Sequence, residues 1–154
     1  MDTHTIKWLT KINWGKVFIV GIIYTVVATL IHQLEAMISL KYYMMPEYFA
    51  VWSRTMMPIA GPPPMDFFVK STIMTITSGI SLALVYCYIR DMLPKNIKER
   101  VLLFADLLAG LQFIFFILPV YLLFNLPIGL LINWFISGFL ILVITSYLCV
   151  KILK

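Results

Sequence analysis

The chain has 154 residues, 62% of them hydrophobic and 12% charged, with 12 Lys and Arg against 7 Asp and Glu for a net charge of +5. Soluble domains carry about 25% charged and about 45–50% apolar residues, so a water-soluble fold of this length cannot hide so much apolar surface, and lipid has to be the solvent for most of it. The basic excess does not point to nucleic acid, because the cations sit at the ends of apolar runs and no soluble stretch interleaves them with aromatics.

Residues 1–16 form a short polar lead with Lys7, Lys11 and Lys16. An apolar run begins at Val17 and becomes amphipathic from Ile31 to Leu40. No small-x-small cleavage site follows it, so it reads as a retained first span over about 17–41 rather than a signal peptide. Residues 42–65 carry Tyr42, Tyr43, Tyr48, Phe49, Trp52 and five prolines, Pro46, Pro58, Pro62, Pro63 and Pro64. Within them, Pro46 to Arg54 suits a short amphipathic helix at the headgroup level. Three successive prolines then impose a stiff, extended approach to the second span, about 66–90. A basic loop, Arg90 to Arg100, leads to a third span, about 101–124. Asn125-Leu126-Pro127 makes a tight connection, with Pro127 suited to a helix first turn, and the fourth span covers about 128–150. Each run is long enough to cross about 30 Å of hydrocarbon. The expectation is one all-α integral membrane domain over 1–154, a four-helix transmembrane bundle with an interfacial segment between helices one and two.

Flanking cations set the expected orientation. With a cytoplasmic N-terminus, Lys7, Lys11, Lys16, Arg90, Lys95, Lys98, Arg100, Lys151 and Lys154 lie inside, and Lys41, Arg54 and Lys70 lie outside. This bias puts both termini in the cytoplasm and residues 42–65 outside. The composition, rich in Ile and Lys, suggests a prokaryotic plasma membrane. Cys87 and Cys149 fall toward the cytoplasmic side, show neither C-x-x-C nor metal spacing, and read as small buried hydrophobes.

At about 100° per residue, Gly21, Thr25, Ala28, His32, Glu35, Ala36 and Ser39 fall on one narrow face of the first helix. Lipid cannot satisfy such a face, so it should point into the bundle. The second helix carries hydroxyls at Ser71, Thr75, Ser78 and Ser81 and a small-residue ridge through Ser71, Thr75, Gly79 and Ala83. The fourth helix adds Gly129, Asn133 and Ser137. These positions share a level and predict an outward-opening polar pocket between helices one, two and four, roofed by residues 42–65. In it, Glu35 would pair with Lys70 or Arg54, and His32 would bond a hydroxyl or Asn133, with Ser71 and Thr75 on the wall. The plainer expectation is helix-packing glue, since membrane Ser and Thr usually bond their own i−4 carbonyl. Methionines cluster on the same side, and Met44, Met45, Met56 and Met57 raise a soft Cu(I) site, against their ordinary use as flexible apolar filler.

No G-x-S-x-G, Walker A, G-x-G-x-x-G, H-E-x-x-H or C-x-x-C occurs, and the histidines are only His4 and His32. No cofactor is implied. The leading functional expectation is therefore a non-catalytic accessory or binding protein using an outward polar face, whose partners are the bilayer, a larger membrane complex or further copies of itself. The alternatives are a small solute or ion carrier using the His32–Glu35 stripe and, third, an enzyme acting on a lipid or quinone with those two residues as acid and base.

Overall fold

A computed structural model describes residues 12–59 and 62–153. His4, Lys7, Lys11, Gly61 and Lys154 lie outside these. The described residues form helices without strands: α1 (Trp14–Ile38), α2 (Leu40–Tyr43), α3 (Met65–Ile89), α4 (Ile97–Gln112), α5 (Leu118–Leu123) and α6 (Ile128–Ile152), with 3-10 turns at Pro46–Val51 and Arg90–Met92. Four helical stretches are long and apolar enough to cross a membrane: Trp14–Ile38, Met65–Met92, Ile97–Leu123 and Ile128–Ile152.

Local chemistry sets the boundaries. The Asn13 side chain accepts from the Lys16 amide at 3.1 Å, so α1 starts ahead of the apolar run at Val17. It also stops before residue 41. The backbone of Ser39 leaves helical geometry at φ −90°, ψ 4°, and Leu40–Tyr43 form a separate turn. Pro64, extended at φ −71°, ψ 161°, feeds α3. Asn96 caps α4 by accepting from the Lys98 and Glu99 amides, and Pro127 immediately precedes α6. Between Pro46 and Arg54 only Pro46–Val51 is helical, as a tight 3-10 run.

The third long helix is not uniform. Phe113–Ile117 is a π segment, in which the Leu118 amide reaches the Phe113 carbonyl. Pro119, in the first turn of α5, has no N–H to give the carbonyl four residues back, and the ladder widens where that bond would fall. The widened turn carries Phe116 against Trp134, ring centroids 6.0 Å apart, and Phe113 against Phe135 at 5.9 Å.

The long helices pack in the order α3–α1–α6–α4, with α1 and α6 in the middle and little contact between α3 and α6. Close approach of α1 and α3 rests on glycines. A Cβ on Gly79 would lie 2.8 Å from the Tyr24 side chain, and one on Gly21 would lie 2.8 Å from Ile80. Of the ridge Ser71, Thr75, Gly79 and Ala83, only Gly79 and Ala83 are buried. All four long helices converge at the Arg90 end, where Val17, Val20, Ala83, Tyr86, Val101, Phe104, Leu108, Cys149 and Val150 make one apolar core. Arg90 closes that end by donating to the Leu153 carbonyl at 3.1 Å. The opposite end carries the connector, described over residues 39–59 and 62–64, and Glu35, Ser39 and Asn133 lie there.

Candidate functional site

The site is built on a four-residue spacing. Glu35 sits one turn from the end of α1, and Ser39 and Tyr43 follow at four and eight residues, which returns each to the same side of the chain. Ser39 Oγ donates to Glu35 Oε1 at 2.5 Å, and the Tyr43 hydroxyl donates to Glu35 Oε2 at 3.3 Å. The next helix to arrive, α6, supplies two donors from adjacent residues. Asn133 Nδ2 donates to Ser39 Oγ at 2.9 Å, and Trp134 Nε1 donates to the Tyr43 hydroxyl at 2.8 Å.

The order of donors is dictated by chemistry. An indole nitrogen can only donate, so the Tyr43 oxygen accepts and its own hydrogen is free for Glu35. The Asn133 amide imposes the same order through Ser39. Two chains of hydrogen bonds thus end on the two oxygens of one carboxylate, and such chains strengthen one another in a low dielectric. Glu35 is 7% exposed and Ser39 is fully buried. Burial pushes the Tyr43 phenol up to about 12, against the opposing pull of the Trp134 hydrogen bond, with the Glu35 charge adding to the rise.

An aromatic group closes over this pair of chains. Trp52 from the connector lies 5.0 Å from Tyr43 and 6.4 Å from Trp134, centroid to centroid, and Phe116 backs Trp134 from the π segment. A tyrosine and a glycine set the spacing of the connector against α6: Tyr42 lies where a Cβ on Gly129 would have to be. One turn deeper, Gln112 of α4 lies over Gly138 and donates weakly, at 3.5 Å, to the Trp134 carbonyl.

The structure brings some of the expected residues together and separates others. Glu35 and Asn133 meet through Ser39. His32 is exposed and makes no hydrogen bond among the described residues, so its expected bond to Asn133 is replaced by that of Ser39. The expected ion pair of Glu35 with Lys70 or Arg54 does not form: Lys70 holds Asp66 on its own helix at 2.7 Å, both exposed, and Arg54 is exposed without an ion pair among the described residues. Ser71 and Thr75 bond the carbonyls of Phe68 and Ser71 on their own helix. The physical reason is the helix order. With α1 between α3 and α6, Ser71 and Thr75 spend their hydroxyls on their own helix, and the cluster lies between α1, α6 and the connector.

Among the methionines, Met44 is exposed, Met45 and Met56 are half-buried, and Met57 is buried. No group of three or more His, Cys, Asp or Glu is placed to hold a metal among the described residues. Ser39, Tyr43, Trp52 and Trp134 were outside the expected ligand set. The four-residue repeat 35, 39, 43 is the only sequence signal for the first two, whereas Trp52 and Trp134 are brought in by the connector and by α6. No family model, no curated protein and no solved structure matches the chain.

Proposed function

We propose that this is a non-catalytic membrane protein that binds a partner or a small ligand at its connector end, as an accessory subunit or receptor-like component. The carrying observation is the Glu35 cluster itself: a buried carboxylate whose two oxygens are occupied by hydroxyls of the connector, each held in turn by a donor from α6. Such a group is costly at membrane depth, and intramembrane ionisable residues mark functional places more often than packing needs alone explain. The acid–base reading has less to rest on, because His32 makes no hydrogen bond to Glu35 among the described residues. The apolar core at the Arg90 end, from Val17 to Val150, favours binding over passage.

The proposed topology follows the cation bias. Both termini face the cytoplasm of a prokaryotic plasma membrane, the connector lies at the outer interface, and residues 124–127 turn on the same outer side. Single cysteines placed at Ser53 and at Lys95, in a background with Cys87 and Cys149 replaced by Ala, test it: an impermeant maleimide added to intact cells should label Ser53→Cys and spare Lys95→Cys. Native mass spectrometry of the chain extracted gently from its own membrane tests the function. A second polypeptide or a bound small molecule in stoichiometric amount is the expected result, and a bare species under several mild detergents overturns it. The carrier reading draws on the same buried Glu35, and it predicts solute flux in liposomes that Glu35→Gln abolishes.

A further inference from the structure

Two features of the Glu35 cluster remain unmatched after its own hydrogen bonds are counted. One is charge. The ion pairs among the described residues are Lys70–Asp66 and Arg90–Asp91, and neither involves Glu35. Neutral donors spread the carboxylate charge without cancelling it, and an unpaired buried charge is costly. The other is Trp52. Its ring is seated against Tyr43 and Trp134, yet its indole N–H is buried with no acceptor among the described residues. An orphaned donor makes that seat an expensive one.

The backbone around this seat is held locally. Trp52 follows a six-residue 3-10 turn, and the backbone beyond it is held by short-range bonds, Trp52 to Phe49 and Met56 and Met57 to Ser53. No long helix has to unwind for the ring to swing out, and once out its N–H meets water.

We propose that Trp52 is an intramolecular plug in a binding seat for a small organic cation, an ammonium head held on the faces of Tyr43 and Trp134 and attracted by the Glu35 carboxylate. The inference rests on the connector-end binding reading above and names its ligand class. Tyrosine and tryptophan faces are the best side-chain partners for a weakly hydrated ammonium group. Glu35 stands at the tip of the Tyr43 phenol, so a cation on that ring meets its carboxylate, whose one titratable neighbour one turn back on α1 is the exposed His32. A metal ion suits the place less well, since both Glu35 oxygens already accept hydroxyls and no group of three His, Cys, Asp or Glu gathers there among the described residues. An uncharged or anionic ligand gains nothing from Glu35.

The test is calorimetric titration of the full chain, in uncharged detergent at fixed ionic strength, with choline chloride and with dimethylbutanol, the uncharged carbon isostere of choline. Saturable choline binding without isostere binding is expected. Glu35→Gln should weaken it about tenfold, the scale of a desolvated cation contact. Trp52→Leu should tighten it by about three- to tenfold, because the orphaned donor and the competing ring are both gone. A residue with only a packing role would lower stability and leave affinity unchanged or weaker. The proposal is overturned by absence of saturable binding in both the wild type and Trp52→Leu, by equal binding of the isostere, or by unchanged affinity in Glu35→Gln. Should Glu35→Gln fail to fold, the isostere and Trp52→Leu comparisons decide on their own. Loss of choline binding alongside a co-purifying polypeptide or uncharged ligand removes the plug and keeps the connector-end reading; loss of choline binding together with a bare chain in native mass spectrometry removes both.

Discussion

The indole N–H of Trp134 donates to the hydroxyl of Tyr43 at 2.8 Å, and this single bond determines what the phenol can do next. With its oxygen serving as acceptor, Tyr43 turns its hydrogen to Glu35. A residue of α6 thereby orients a residue of the connector toward a carboxylate of α1. Trp134→Phe keeps an aromatic ring, though a smaller one, and removes the donor. It should destabilise the fold by about 1–3 kcal/mol, the cost of a buried polar group losing its partner, and the shift would be read from the unfolding midpoint in detergent.

Ser39 is the second junction, accepting from Asn133 and donating to Glu35 at once. Ser39→Ala breaks both bonds, so it should cost about 1–3 kcal/mol. Asn133→Ala on top of it should add little, since the amide has already lost its acceptor. A double-mutant cycle reads this as a coupling energy of about 0.5–3 kcal/mol, and additive losses would show that the two residues act separately.

Lys70 offers the contrasting case. Its pair with Asp66 is exposed on one helix and reaches no other element. Lys70→Ala should therefore move stability by no more than about 0.5 kcal/mol and leave ligand or partner binding intact. A large loss of binding would return α3 to the site.

Alkaline titration reports on Tyr43. Its phenol is raised from 10 to about 12 in the fold, with burial the main cause. A group whose folded value is raised contributes stability that is complete below the unfolded value and is lost as pH climbs through the folded one. Wild-type stability should fall between about pH 10 and about pH 12 more steeply than that of Tyr43→Phe, which has no proton to lose there. Matching slopes would mean that the phenol is not sequestered.

Packing of α1 on α3 depends on Gly79, where any Cβ would meet the Tyr24 ring. Gly79→Val should cost about 1–3 kcal/mol by overpacking. Tyr24→Ala in the same chain should recover part of it, because the ring is what the new side chain strikes. Unfolding midpoints of the single and double variants give the comparison.

Composition and run length by themselves decided that this chain builds four helices long and apolar enough for a membrane, because 3.6-residue turns and the thickness of hydrocarbon leave few other solutions for such runs. The face bearing Glu35 and Ser39 was legible too, since helical spacing is local and Ser39 and Tyr43 repeat every four residues after Glu35. The expected helix starts, at about 17 and about 101, fall too late, because hydropathy runs mark the apolar core of a helix and not the Asn13 and Asn96 side chains that cap it one turn earlier. What the sequence could not decide was which helix would come to meet that face. Hydrophobic runs of similar composition give no ranking of partners, and a shared membrane level made α3 with Lys70, Ser71 and Thr75 look as suitable as α6. Only the packing order α3–α1–α6–α4 turned Asn133 and Trp134 toward Glu35 and left Lys70 with Asp66. Trp52 is the extreme instance: an aromatic in an irregular connector, whose place over Tyr43 depends on contacts 9 residues away in one direction and 82 in the other, neither of which any local periodicity encodes.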